Sequence, residues 1–139
     1  PLANASKSGV RVRAILDDDI YVVGVHGTKV GDNDADEYKN AETLRKAGAK
    51  VKWMETNHSA HLLHHNKYLV FDNAVLAGAA NFTSTGYGIS TSFPNNYENI
   101  YMIRIPEVVA KFKKQYDYVY SKLATDYKDM PKTDEMPLE

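Results

Sequence analysis

The sequence predicts an α/β domain, and three observations carry that expectation. Short aromatic and β-branched runs, VRVRAILD, YLVF and IYMIRI, read as strands, and turn-forming Asp-Asn follows the second. Two other segments read as helices, one stopped by Gly48 and one opening at Pro106 with an apolar stripe. The 139 residues suit one domain with a proper core, 43% hydrophobic and 25% charged as in ordinary globular chains.

Taken in order, PLANASKSG reads as the end of a helix running into the strand VRVRAILD. DDDIYVVGVHGTKVGDNDADEYKN then reads as a polar, Gly- and Asp-rich loop with one apolar patch. Ala41 to Ala47 form a short helix, with Glu42 and Arg45 at an i,i+3 spacing and Gly48 as its stop. Val51 and Trp53, with Glu55, alternate as a strand. Tyr68 to Phe71 make the next, ended by a tight turn at Asp72-Asn73, and Ala74 to Asn81 pair back across that turn. IYMIRI supplies a third run. From Pro106 onward, Val108, Val109, Phe112, Tyr116, Val119, Tyr120 and Leu123 recur at helical steps and read as core. Residues 1–124 are thus expected to be the domain and 125–139 a polar tail or linker, since two prolines interrupt mostly polar residues there.

One stretch carries chemistry. LHHNKYLVFDN places His65, Lys67 and Asp72 in an HxKxxxxD pattern, and nine residues after the aspartate GAAN ends at Asn81. Side chains two apart on a strand share a face, so His65 and Lys67 point the same way. Asp72 is seven residues from His65, and that odd separation turns it to the other face, where it holds architecture instead of substrate. Ala79 and Asn81 would likewise share a face, with Gly78 letting a backbone or a phosphate come close. Glu98, in NNYEN before the third run, reaches the imidazole of His65 if that strand lies beside the first. A carboxylate there would fix the tautomer and stabilise the imidazolium.

These residues resemble the phospholipase D superfamily, whose pattern is HxKxxxxD followed by GSxN and a later Asn/Glu segment. The resemblance covers most of the chain and implies a mixed sheet flanked by helices. That family's domain opens with a further strand, so this one is expected to lack its first strand and to belong to a longer polypeptide. Implied also is a two-step phosphoryl transfer without metal or cofactor: one histidine attacks phosphorus and a second protonates the leaving oxygen. His65 would be nucleophile or acid, Lys67 and Asn81 would bind the non-bridging oxygens, and Glu98 would orient the histidine, supported by Asp72, Gly78, Ala79 and Asn96. Each domain supplies one histidine, so the partner is a second copy in a homodimer or a second half carrying the same motif. Small size and a single motif favour the nuclease-like branch acting on DNA or RNA. The alternatives are a phospholipase D-type lipid hydrolase or transphosphatidylase, as half of a two-motif enzyme, and a non-catalytic phosphate-binding relative. Ala79 stands where the family pattern has serine, and one hydrogen bond to phosphate or water goes with the missing hydroxyl.

Competing readings of other residues are blander. Asp32, Asp34 and Asp36 mimic the start of a calcium loop, but Glu37 and Thr43 occupy the positions of its glycine and bidentate glutamate. Asp17, Asp18 and Asp19 read as a strand terminus. His58, His61, His64 and His65 cluster, but the chain has no cysteine and the nearest carboxylate, Glu55, is on the preceding strand, which argues against zinc. Net charge is −1, without the strong basic character of many nucleic-acid binders, yet Lys7, Arg11 and Arg13, and again Arg45, Lys46, Lys50 and Lys52, are clusters able to track a phosphate backbone. The loop TGYGISTSFPNNYEN should border the site, where Tyr87, Ile89, Phe93 and Pro94 pack inward, meet lipid or stack a base. No apolar run approaches membrane-spanning length, and the absence of cysteine leaves the compartment undetermined.

Overall fold

Two left-handed glycines stop the N-terminal helices, and each closes its helix in the same way. In the computed structural model, which describes residues 1–17, 33–54, 64–92 and 94–126, α1 spans Leu2–Lys7 and α2 spans Asn33–Lys46. Gly9 and Gly48 follow them with φ of 90° and 93°. After α2, Gly48 N–H donates to the Arg45 carbonyl and Ala49 N–H to that of Leu44, the paired bonds of a Schellman motif; Gly9 and Val10 do the same for Ser6 and Ala5. Only glycine takes this conformation without a Cβ penalty.

The chain divides into two units, Pro1–His64 with Tyr120–Glu139, and His65–Val119. In the first, β1 (Arg13–Asp17) pairs in parallel with β2 (Lys50–Met54), and the two-residue β6 (Thr125–Asp126) pairs antiparallel on the other side of β2. The strand order is β1-β2-β6, so β2 is central. It alternates accordingly: Val51 and Trp53 are buried, Trp53 completely. α2 packs against β2, and Ala41 on α2 is fully buried.

Three expectations change here. The helix before Gly48 starts at Asn33 instead of Ala41, because NDADEYKN is helical; a polar segment has no apolar period to announce it. Thr125 and Asp126, at the start of the expected tail, form β6, while 127–139 lie outside the described residues. The expectation for the basic clusters narrows: four of the seven cations have partners inside the unit. Arg45 and Lys46 pair with Glu42, Lys52 Nζ lies 3.2 Å from Asp126, and Arg13 and Lys52 approach the Tyr120 ring at 5.1 and 4.8 Å.

The second unit is an antiparallel sheet covered by one helix. β3 (Tyr68–Val70), β4 (Val75–Gly78) and β5 (Ile100–Ile103) are ordered β3-β4-β5. Asp72-Asn73 makes the turn between the first two, closed by Phe71 N–H to the Ala74 carbonyl at 2.8 Å. α3 (Pro106–Tyr118) covers the face bearing Tyr68, Val70 and Val75: the Tyr68 and Phe112 rings meet edge-on at 5.2 Å, and Val75 and Val109 are buried. That burial holds the Tyr68 hydroxyl above the usual phenol range. The helix ends in a π-turn, Val119–Leu123, whose wider winding carries Leu123 off the apolar stripe; it is 51% exposed, against the expectation that it is core.

Gly78 sets the spacing of this sheet. A Cβ there would stand 2.3 Å from the Asn99 carbonyl oxygen and 3.1 Å from Ile100 Cα, both backbone atoms that a side-chain rotation cannot move. Gly78→Ala should therefore destabilise the protein by about 1–3 kcal/mol, read as a lowered denaturation midpoint. An unchanged midpoint would mean that β5 shifts freely.

Candidate active site

The sheet row that includes Gly78 also holds the motif lysine. Gly78 N–H donates to the Lys67 carbonyl at 3.3 Å, which extends the β3–β4 ladder one residue beyond β3, and Gly78 faces Ile100 on β5. Lys67, Gly78 and Ile100 thus lie in one row, on the sheet face opposite α3. A small hollow of about 10 Å³, room for about one water, borders this row and is lined also by Leu76, Ala80, Phe82 and Tyr87. The Lys67 ammonium donates to the His65 carbonyl at 2.9 Å, and His65 itself is exposed in the segment leading into β3. The shared face expected for His65 and Lys67 rests on strand alternation, and the ladder reaches Lys67 but not His65.

The GAAN segment leaves the sheet earlier than expected. β4 ends at Gly78 instead of continuing to Asn81, so strand alternation does not place Ala79 and Asn81; both are exposed, while Ala80 between them is buried. A tight turn begins at Asn81, whose carbonyl accepts from Thr83 N–H at 2.8 Å. Gly86 packs against it so closely that a Cβ would stand 2.4 Å from the Asn81 carbonyl oxygen. Sequence reasoning passed over Gly86; its signal was the glycine pair in TGYG, which breaks an otherwise apolar and hydroxyl-rich run.

Glu98 is half-buried and accepts from Asn96 Nδ2 at 3.2 Å, while Asn96 N–H donates to the Thr85 carbonyl at 3.0 Å. Asn96 thereby ties the carboxylate to the loop that follows Asn81. The strand after Glu98 lies beside β4 and not beside β3, so the adjacency on which a Glu98–His65 contact was expected is replaced by two strand spacings, roughly 10 Å of backbone. Ala79 N–H reaches the Asn99 carbonyl at 3.4 Å, and so the end of GAAN and the NNYEN segment run side by side.

Asp72 is at the opposite end of β3, in the hairpin turn. Its carbonyl accepts from Lys113 Nζ of α3 at 2.7 Å, and it lines a separate hollow with Arg104 and Lys113. The structure thus gathers Lys67 and Gly78 at one hollow, sets Asn96 against Glu98, and places Asp72 elsewhere. Within the first unit, the Asp17 carboxylate at the end of β1 accepts through Oδ2 from His64 N–H at 2.8 Å, the residue directly before His65. It had been read as a strand terminus only.

Among the described residues no group of three or more histidines or carboxylates is placed to hold a metal ion. Asp34 and Asp36 lie within α2, where the backbone is helical and not looped around an ion. His58, His61, Glu55, Asp18, Asp19, Asp32 and Phe93 lie outside the described residues.

Replacing Asp17 with Ala should release the His64 amide, at a cost of about 1–3 kcal/mol for a hydrogen bond to a charged acceptor. Faster hydrogen exchange at His64, measured at constant pH, would report it, and unchanged protection would show that this contact does not hold the motif.

A search of curated proteins gives no match. A protein-family model described as the PLD-like domain of cardiolipin synthase matches residues 1–120. HxKxxxxD, GAAN and NNYEN all fall inside that match, on a mixed α/β framework of two small sheets and helices, and the chain therefore belongs to the phospholipase D superfamily as a PLD-like domain.

Proposed function

We propose that the chain is a metal-independent phosphodiester hydrolase that works through a phosphohistidine, with nucleic acid as its substrate. PLD-like domains are in general phosphodiesterases, which supports that reaction class. The observation that supports the finer reading is the row in which Lys67 lies against the bare backbone of Gly78, with His65 exposed two residues before it.

In the first step an imidazole nitrogen of His65 attacks phosphorus and the bond to the leaving oxygen breaks. That oxygen takes a proton from a second histidine, supplied by another copy of the chain or by a second domain with the same motif. In the second step the same histidine removes a proton from water, which attacks the phosphohistidine and releases the phosphate with His65 restored. Lys67 and the Asn81 amide stabilise the negative charge on the non-bridging oxygens, where fixed donors act most strongly. Glu98, steadied by Asn96, supplies the negative charge that favours a cationic histidine as the reaction proceeds.

A second reading, a phospholipid diester as substrate, draws support from the family description and from the exposed apolar side chains of Ile89 and Tyr97, 72% and 104% accessible.

Purified protein should cleave DNA or RNA in EDTA, and His65→Ala should abolish that cleavage while leaving the melting temperature unchanged. Cleavage retained by the variant would remove His65 from the chemistry. Ala79→Ser restores the family hydroxyl at an exposed position and should raise kcat, by up to about 10²-fold, the worth of one donor in an anion hole. An unchanged kcat would mean that another group already does its work.

A further inference from the structure

We infer that Phe82 and Tyr87 form a base-stacking platform beside Lys67, so that the substrate is a single-stranded or locally unpaired nucleic acid. This rests on the phosphodiesterase reading above and narrows its substrate.

The two rings lie 5.8 Å apart and 27° from parallel. Tyr87 is the inner ring, half-buried, with burial holding its hydroxyl above the usual phenol range; it therefore adds no negative charge next to a phosphate. Phe82 is the outer ring and is 53% exposed, an apolar surface that water penalises until something flat covers it. Both border the same small hollow as Lys67 and Gly78, so a base on Phe82 would have that lysine as a neighbour for its phosphate.

The platform is built on the turn that carries Asn81. Tyr87 N–H donates to the Thr83 carbonyl at 3.0 Å, Gly86 N–H to Thr83 Oγ1 at 3.1 Å, and that hydroxyl also bonds Thr85 Oγ1 at 3.1 Å. With Gly86 pressed on the Asn81 backbone, the rings and the phosphate amide share one frame. Ring stacking accepts any base, because every base has a π-face. In a duplex those faces are already covered, and exposing one costs a few kcal/mol, whereas a single strand offers them freely. An acyl chain has no flat face to match two near-parallel rings.

The test uses the full chain carrying His65→Ala, so that the strand stays intact, and an oligonucleotide containing 2-aminopurine, whose fluorescence is quenched by stacking. The expected result is quenching on binding, tighter binding of the single strand than of its duplex, and a 5- to 150-fold loss of affinity in Phe82→Ala, the equivalent of about 1–3 kcal/mol per stacked base. Phe82→Tyr should retain both affinity and quenching, and an abasic position should lose them as Phe82→Ala does. Equal affinity and equal quenching in Phe82→Ala would overturn the platform, and the hydrolase reading would still stand if the unmodified chain cleaves the strand in a Phe82-independent way. Phe82-dependent binding without any cleavage by the unmodified chain would support the platform and overturn the hydrolase instead. Phe82-dependent binding to phosphatidylglycerol vesicles, with none to the oligonucleotide, would overturn the platform and the nucleic-acid substrate in favour of a lipid diester.

Discussion

The backbone of β5 approaches β4 so closely at Gly78 that any side chain there would meet the Asn99 carbonyl, and much of the candidate site follows from that contact. It lets the NNYEN segment run along the end of GAAN, and it removes the side chain from the middle of the Lys67–Gly78–Ile100 row. The missing Cβ thus allows the tight pairing of β4 and β5 in a row that also holds a cation.

A second constraint is hydrogen bonding by residues adjacent to the chemistry. Asp17 holds the amide before His65, Asn96 holds the Glu98 carboxylate, and Gly86 and Thr83 hold the turn at Asn81. None of these groups has to touch phosphate to matter, because a catalytic side chain held within a fraction of an ångström costs little reorganisation when charge develops. Some of the chain's cations serve the fold: Arg13 and Lys52 flank Tyr120, and Lys113 steadies the hairpin turn through the Asp72 carbonyl.

Local patterns in the sequence were enough to find the strands YLV and IYMI, the helix at Pro106, the glycine stop at Gly48 and the residues of the motif, because each depends on neighbours within a few positions. The buried Val109 and Val119 were legible for the same reason, as members of one helical stripe. Other features needed the fold. The order β3-β4-β5 sets Glu98 two strands from β3; β6 closes on β2; and Phe82 finds Tyr87 across a turn. Strand order is chosen by burial and hydrogen bonding between segments far apart in sequence, and alternation within a strand says which face a residue takes but not which strand lies next to it. The polar first half of α2 carried no periodic signal, and the π-turn shifted Leu123 out of phase, so both were beyond a reading of period alone. By itself, then, the sequence determined which motif groups this protein carries and the family to which it belongs; tertiary pairing alone decided which of those groups meet, since proximity is a property of the sheet and not of the spacing.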